Sequence, residues 1–282
     1  MPTFDTPEPI LATVELQGGS LRIYASDRSE TVVQVRPSDP SDDGDAQTAE
    51  QTQVEYANGN LLVKAPMNKA RWWLFQWTGS VDVIIDLPTD SRVAATAGLA
   101  DIRCEGRLGE SRISTSGGDI QLDQVGKLRV DSGDGDISVT RSAGNLDATT
   151  TNGDIRIQEI DGSAAARTSN GGITIGEVRG DARLNTAHGE ITVDRALGSV
   201  AAKTAAGDIR IGEVTRGSVV LDTGAGELEI GVREGTAALL DVSTMLGSVR
   251  SSLEPADGPG PGDETVEVRA RTTAGDIVIR RS

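Results

Sequence analysis

Residues 162–180 read GSAAARTSNGGITIGEVRG and contain two stretches of alternating side chains separated by a glycine turn. The first stretch alternates over residues 164–168, and the second alternates around Ile173 and Ile175. Alternation between glycine-bearing turns is typical of β-strands, because successive side chains of a strand point to opposite faces. The stretch therefore predicts one β coil with a thin inward row of small and β-branched residues.

The same pattern recurs along most of the chain. An apolar anchor residue follows each Gly-Asp-like turn, in successive steps of 18, 17, 18, 18, 18, 18, 19, 21 and 28 residues. The anchors are Ile102, Ile120, Ile137, Ile155, Ile173, Ile191, Ile209, Leu228, Val249 and Ile277. A fixed period of about 20 residues marks a solenoid, in which each repeat stacks on its neighbours. The sequence predicts an all-β, single-stranded parallel β-solenoid (β-helix), and the preference of parallel crossovers predicts a right-handed coil.

A hydroxyl residue stands three positions before the turn glycine in every repeat from Thr115 onward. By the alternation this position points inward, and stacked coils would align the hydroxyls about 4.8 Å apart. Each hydroxyl could bond a neighbouring hydroxyl or a turn amide, which would leave no buried polar group without a partner. The series is Thr115, Ser132, Thr150, Thr168, Thr186, Thr204, Thr223, Thr244 and Thr272. An antiparallel meander would not place like on like, so the series favours parallel stacking.

The N-terminal third of the chain, residues 1–92, is less regular and predicts irregular coils and a cap. Within it, the acidic run at 37–53 has no apolar period and is expected to form an exposed loop. A Trp-rich segment at 66–80 also interrupts the strand pattern.

Residues 93–282 predict the regular solenoid, interrupted by a Gly- and Pro-rich loop at 255–264. After this loop the last coil returns in register, so we expect it to lie at the end of the stack. Solenoid ends expose unpaired strand edges, and the tail Arg280-Arg281 is expected to blunt this one.

Charge and composition narrow the classes of partner. The formal net charge of −16 argues against nucleic acid, which binds basic surfaces, and against docking to anionic lipid. No basic and apolar leader opens the chain, and no stretch approaches the length of a membrane-spanning helix, which predicts a cytoplasmic protein. A membrane partner is not expected without an anchor. The lone cysteine, Cys104, falls on an inward position and is expected to be a buried thiol.

Four of the seven aromatic residues, including all three tryptophans, fall within residues 72–77. One interpretation is a docking surface or an interfacial membrane anchor, because tryptophan is enriched at both, and the acidic charge of the chain favours a protein partner over lipid. The other is a cap, in which large rings cover the end or a side of the narrow core. The docking candidates are Arg71, Trp72, Trp73, Phe75 and Trp77.

An acidic residue precedes most anchors and would form a column in the stacked coils. Calcium-binding β-rolls also combine glycine with aspartate, but they carry acidic turns on both sides of each coil, and here only one side does. We therefore expect these side chains to accept backbone hydrogen bonds in turns, and we assign no metal or cofactor. The column is Asp101, Asp119, Asp136, Asp154, Glu190, Asp208, Glu227 and Asp276.

Candidates for catalysis are few. His188 is the single histidine and lies in a turn, where it forms no cluster with cysteine, serine or acid that would indicate a metal or a triad. The short turns of the regular coils leave little concave surface from which water could be excluded. We assign no catalytic residue.

Two stretches carry a family resemblance: residues 81–88, VDVIIDLP, and residues 151–157, TNGDIRI. They resemble a bacterial β-strand-repeat family known as "putative adhesin" and as a domain of unknown function, over roughly Val14 to Ile279. The resemblance implies a β-helix-like solenoid with no established catalytic residues, and roles in adhesion or envelope-associated sensing.

These observations predict a non-enzymatic β-solenoid that acts as an interaction scaffold, adhesin-like by resemblance. Its partner would be an unknown protein or a second copy of the chain. Three alternatives stay open: a filament assembled through exposed strand edges, a calcium-binding β-roll-like module, and a polysaccharide-acting β-helix enzyme, which the short turns disfavour.

Overall fold

A computed structural model describes residues 1–66, 79–254, 258, 260 and 264–282. The chain forms two compact units, Met1–Val139 and Thr140–Ser282. Strands joined by short turns make up most of both units, and the first unit also contains the helix α1 (Asp43–Gln51).

The strands follow the glycine punctuation of the sequence. The first unit contains β1 (Thr3–Asp5), β2 (Leu11–Ser26), β3 (Glu30–Pro37), β4 (Gln53–Ala57), β5 (Asn60–Lys64), β6 (Val81–Pro88), β7 (Arg92–Leu108), β8 (Ser111–Gly117), β9 (Ile120–Val125) and β10 (Leu128–Asp134), and β11 (Ile137–Ser142) spans the unit boundary. The second contains β12 (Leu146–Thr149), β13 (Ile155–Ile160), β14 (Ala164–Arg167), β15 (Ile173–Val178), β16 (Ala182–Asn185), β17 (Ile191–Ala196), β18 (Val200–Ala206), β19 (Ile209–Val214), β20 (Gly217–Ala225), β21 (Leu228–Val232), β22 (Thr236–Leu246), β23 (Val249–Ser251), β24 (Glu264–Ala274) and β25 (Ile277–Arg281).

Each regular coil supplies two strands, and equivalent strands of successive coils pair in parallel. Ile173 of β15 faces Ile191 of β17, which in turn faces Ile209 of β19. The other strand of each coil stacks in the same way, with β14 on β16 and β16 on β18. The period predicted from the sequence is therefore the repeat of a parallel β-solenoid, and that prediction is confirmed.

The predicted inward hydroxyls are buried, except for the half-buried Thr244, and most of them bond to an adjacent coil. Thr186 donates to the carbonyl oxygen of Gly171 over 3.0 Å, and Thr168 donates to that of Gly153 over 3.1 Å. The acceptor is thus the turn glycine of the preceding coil, rather than the neighbouring hydroxyl or turn amide that we expected. A hydroxyl in this place satisfies a carbonyl in the narrow core, where water has no access.

The turn glycines cannot be replaced without strain. Gly189 has a φ of 152°, and a β-carbon added there would lie 2.0 Å from the carbonyl oxygen of Gly171 in the coil before it. Gly207 repeats this geometry, with a φ of 149° and a distance of 2.1 Å to the carbonyl oxygen of Gly189. Both the backbone angle and the close stacking of turns therefore require glycine.

In the first unit, antiparallel strands end the stack. The long strands β2 and β7 pair in parallel, but β3 runs antiparallel to β6, and β1 runs antiparallel to β3. The strands β4 and β5 form a hairpin whose turn residues, Asn58 and Gly59, have φ angles of 50° and 75°. These angles suit the tight turns that join antiparallel strands.

The expectation of an exposed loop over residues 37–53 is wrong, because α1 occupies much of that run. The Asp42 carboxylate caps the helix by accepting the amides of Gly44 and Asp45 over 2.8 and 3.0 Å. The helix contacts β3 and β6 and buries Thr48. Capping and contact with the sheet therefore offset the weak apolar period of the sequence.

The order of the last coils also differs from the expected one. Strand β24 lies between β20 and β22, so that Val268 faces Val219 on one side and Leu240 on the other. Likewise β25 lies between β21 and β23. The long connection after β23 allows the chain to return beneath that coil, so that the apolar inward row of β24 is covered on both sides.

The tail therefore does not blunt the end of the stack. Arg281 donates to the carbonyl oxygens of Arg233 and Thr236 over 2.9 Å, and Arg280 pairs with Glu229 over 2.7 Å. Both arginines hold the inserted coil in place, and the last coil of the second unit is the one formed by β22 and β23.

Candidate functional site

The acidic column links coils through backbone amides. Asp101 accepts the amide of Asp119 over 3.0 Å, and Asp276 accepts the amide of Ser248 over 2.8 Å. The same bond recurs at Asp119, Asp154 and Asp208. The amide of Ser248, with the nearby Arg250 guanidinium, holds the pKa of Asp276 below its usual value. The turn role predicted for these aspartates is confirmed.

The described residues contain no group of three or more His, Cys, Asp or Glu side chains arranged to hold a metal ion. In the column itself, one carboxylate oxygen of each of these aspartates is directed at the next coil's amide. Such bonds compete with an ion for the same oxygen.

The two other chemical candidates belong to different units of the chain. His188 is exposed in a turn, where its backbone bridges to Asn170 and Ala206 of the neighbouring coils. Cys104 is 2% exposed beside Ile23 of β2, and burial raises the pKa of its thiol to about 12. A thiol with that pKa stays protonated near neutral pH, and it is therefore a poor nucleophile.

The predicted docking residues of the Trp-rich segment lie outside the described residues. They are Arg71, Trp72, Trp73, Phe75 and Trp77. Their assignment as a docking surface stays a prediction.

Ion pairs cover the outward face of the second strand in each coil of the second unit. Glu177 and Glu213 flank Arg195 in the strand register, at 3.3 and 3.5 Å from its guanidinium. In a second group of ion pairs, a hydrogen bond from Arg141 and the charge of Arg179 hold the pKa of Asp161 below its usual value. Exposed pairs of this kind add little stability, but they neutralise charge on this face.

The terminal coil, β22 and β23, differs from the coils that it covers. Among the described strands β22 pairs only with β24, so its other edge carries unpaired backbone groups. Its side chains are also exposed, with Leu239 at 68%, Met245 at 79% and Leu246 at 71%. A long apolar edge is a template for pairing with another chain.

A groove of about 1090 Å³ lies beside this coil. Leu239, Leu240 and Leu253 supply apolar walls, and Arg216 and Arg281 lie at the polar side. Both arginines already donate to backbone carbonyls, Arg216 to that of Leu197 over 3.2 Å. Since both arginines are engaged, the groove mainly extends the exposed apolar surface of the terminal coil.

The N-terminal cap, β1, β3, β4 and α1, contrasts with this coil. Its edge strands β1 and β4 have 3 and 5 residues. The ring of Phe4 on β1 packs against that of Tyr56 on β4, with centroids 5.3 Å apart. This aromatic pair joins the two edges.

The repeat geometry agrees with a comparison against known families. The sequence matches the profile of the Toastrack DUF4097 family over residues 13–280. The chain belongs to this family. The predicted resemblance to a β-strand-repeat family of unknown function is therefore confirmed, and the coils described above are the Toastrack repeats of this chain.

Solved structures similar to this Toastrack chain share little of its sequence. A protein described as a putative adhesin from Bacteroides fragilis is 13% identical, with 99% of this chain and 96% of that chain covered and a TM-score of 0.37. A putative lipid binding protein and a putative adhesin, both from Parabacteroides distasonis, are each 13% identical, with 98% and 95% covered and TM-scores of 0.49 and 0.37. No curated protein matches the chain.

The apolar terminal coil was not predicted from the sequence, although two signals mark it. The outward positions of residues 236–246 hold Leu239 and Met245, where other coils hold polar or small residues. Ser248 also stands where most coils have an acidic residue before the anchor. A coil without the acceptor that binds the next coil is expected at the end of a stack.

Proposed function

We propose that this Toastrack chain is a non-catalytic scaffold that binds another protein, in an adhesin-like role. The observation that carries the proposal is the distribution of apolar exposure. Of the seven large apolar side chains exposed in the described residues, four lie on the terminal coil. They are Leu239, Met245, Leu246 and Val249. An exposed apolar cluster of this kind is typical of a protein interaction site.

The use of polar groups elsewhere supports a scaffold. Turn carboxylates and inward hydroxyls bind the backbone of the adjacent coil, as at Asp276 and Thr186. The outward charges pair with one another along the strands, as at Arg195. A surface whose polar groups serve its own fold has few free groups to bind and activate a small substrate.

The same facts argue against the enzyme alternative. A hydrolytic site needs a nucleophile or a pair of carboxylates within reach of one reacting atom. The described candidates do not provide this arrangement, because Cys104 is buried with a raised pKa and His188 lies alone in an exposed turn. The arginines of the groove are engaged with the backbone.

Cross-linking of the tagged chain in the cells that naturally produce it, followed by mass spectrometry, tests the scaffold role. We expect one partner protein to be recovered with the wild type and lost with a variant of either candidate surface. The variants are the docking-segment triple substitution Trp72→Ala/Trp73→Ala/Trp77→Ala and the terminal-coil double substitution Leu239→Lys/Met245→Lys.

Leu99→Lys is the matched control for the terminal-coil variant, because Leu99 is 58% exposed and lies in the first unit, whereas the terminal coil belongs to the second. Equal recovery of every cross-linked protein with all of the folded variants would contradict the scaffold proposal.

A further inference from the structure

Among the described strands, β22 has a partner on one edge only, and its other edge lacks the features that keep sheet edges of monomeric proteins apart. Such edges are short or carry lysine, proline or a bulge, whereas β22 has 11 residues, TAALLDVSTML, with one charge, Asp241. That charge already has a partner, Arg271 of β24, at 3.6 Å.

The inward row of this strand is also incompletely covered. Leu240, Val242 and Thr244 are half-buried, while the equivalent residues of β24, Val268 and Ala270, are fully buried between two strands. The terminal coil therefore has the side-chain pattern of an inner coil but has a neighbour on one side only.

We propose that the terminal coils of two copies of the chain pair edge to edge, with β22 antiparallel to β22 of the second copy, to form a closed dimer. This inference deepens the scaffold proposal, since it rests on the same apolar coil and names a second copy as its partner there.

Charge favours a second copy over an acidic or basic partner. The chain has a net charge of −16, so two copies repel each other over most of their surface. The edge of β22 is an exception, because its one carboxylate is paired. An apolar edge with no free charge is best covered by another edge that is neutral and apolar. The same edge on a second copy is both.

The strand is complementary to itself in one register. Opposite residues of an antiparallel pair lie on the same side of the sheet. A two-fold axis between the two copies of β22 must therefore place one residue opposite its own copy, and it cannot pass between two successive residues. With the axis at Val242, Leu239 faces Met245 of the second copy and Asp241 faces Ser243. The two most exposed outward side chains of the strand then cover each other. An axis at Asp241 would oppose two carboxylates, which is unfavourable.

The N-terminal cap makes the assembly closed rather than open. A filament would need the terminal coil of one copy to pair with the N-terminal edges of the next, and those edges have 3 and 5 residues. The ring contact of Phe4 with Tyr56 also joins the two edges. An isologous pair uses only the terminal coil and stops at two copies.

Sedimentation velocity over a wide range of protein concentration tests the dimer. We expect the wild type to convert from monomer to dimer and no further. Leu239→Lys, which places two lysines in the apolar contact, should raise the dissociation constant at least ~10-fold. Leu239 is exposed, so the substitution leaves the core intact, and circular dichroism verifies the fold. The control Leu99→Lys should leave the dissociation constant unchanged.

Disulfide trapping tests the register in the full chain, whose single natural thiol, Cys104, is buried. Val242→Cys should form a disulfide-linked dimer under mild oxidation. Leu240→Cys should not, because the axis at Val242 would separate the two introduced thiols by four residues along the strand, roughly 13 Å.

A wild type that stays monomeric at every concentration, or grows beyond two copies, overturns the proposal. Trapping at residue 240 instead of 242 overturns the register. A strict monomer whose cross-linked partner is still lost on Leu239→Lys/Met245→Lys would retain the scaffold role while the dimer fails, so the two proposals can be separated.

Discussion

The N-terminal cap and the terminal coil both end a stack of β-strands, but their edges differ in length and in the side chains that they expose. In the cap, strands of 3 and 5 residues form the edges, and Phe4 and Tyr56 pack across them. In the terminal coil, a strand of 11 residues forms the edge and exposes Leu239 and Met245. The contrast indicates that one edge is protected from other chains and the other is available to them.

The difference also concerns how firmly each coil is held. An inner coil is bonded to neighbours on both sides, while the terminal coil is bonded to β24 and β25 alone among the described strands. Local opening is therefore expected to be easier in the terminal coil, since fewer contacts must be broken.

The largest expected effect on stability comes from replacing turn glycines. We compare one glycine within the stack with one in the terminal coil. Gly189→Ala should lower the free energy of unfolding by about 3 kcal/mol, since it combines a strained φ with a backbone clash. Gly247→Ala meets the same clash, 2.0 Å from the carbonyl oxygen of Gly275, but the terminal coil can open to relieve it. We expect a loss of about 1 kcal/mol there.

Urea unfolding of dilute protein, followed by circular dichroism, measures both changes. Gly235→Ala is the control for backbone strain alone, because Gly235 has a φ of 79° and an added β-carbon would have nothing within 4 Å. Equal losses for the variants at 189 and 247 would show that the terminal coil is held as firmly as an inner one.

Inward hydroxyls provide a smaller test of the same difference. Thr186→Val should cost about 1 kcal/mol, because the carbonyl of Gly171 loses a buried donor. Thr244→Val removes a similar bond to Gly275, of 2.9 Å, but Thr244 is half-buried and its partner carbonyl can be reached by water more easily. A smaller loss is expected at that position.

Thermal unfolding of the two variants gives the comparison. The outward Thr192, whose hydroxyl bonds the Glu190 carboxylate, supplies a surface control in Thr192→Val. A cost at 244 that equals or exceeds the cost at 186 would mean that the terminal coil is closed to water.

Sequence alone predicted the regular coils well, because one period determines the position, facing and chemistry of each residue in them. The inward series from Thr115 to Thr272 fixes which residues stack, and the structure confirms the stacking within each unit. The hydroxyl acceptor could not be predicted, since it depends on the distance between one coil and the turn of the coil before it.

The repeat period has no predictive value for the parts of the chain outside the regular coils. Helix α1 depends on the cap at Asp42 and on contacts with β3 and β6, which are not local in sequence. The inserted last coil was missed because the period specifies register but not the order of stacking across a long connection. The exposed Leu239 and Met245 mark the end of the stack, but only once that order is known.

A third test weakens the cap instead of the coil. Asp45 of α1 accepts the amide of Ser80 over 2.6 Å and that of Asp39 over 2.9 Å, and so attaches the helix to the residue before β6 and to the segment after β3. Asp45→Ala should cost about 1 kcal/mol, since it removes two charge-assisted bonds at a half-buried position. Faster amide exchange in α1 and β3, with β22 unchanged, is the expected pattern.

The control is Asp43→Ala in the same exposed first turn of α1, which should alter amide exchange only slightly. Unchanged exchange in α1 after Asp45→Ala would show that the contacts with β3 and β6 hold the helix without these bonds.

The smallest effect is expected from acid at the bond that attaches the terminal coil. The amide of Ser248 stabilises the charged Asp276 carboxylate in the folded chain, so the pKa of Asp276 lies below the ordinary value of 3.8. Because the folded pKa is the lower one, this contribution to stability is fully present above pH 3.8 and is lost as the pH falls through the folded pKa. The terminal coil should loosen over that acidic range, and only slightly, since Asp276 is exposed to solvent.

Amide NMR shifts of Ser248 follow this titration directly. We expect a midpoint below pH 3.8 and no such step in Asp276→Asn, which keeps an oxygen acceptor but no titrating group. Arg250→Ala should move the midpoint up by a small amount, since Arg250 lies 3.3 Å from the carboxylate. A midpoint at or above the ordinary value would mean that Asp276 does not hold Ser248 in solution, and the terminal coil would then be attached by its strand pairing alone.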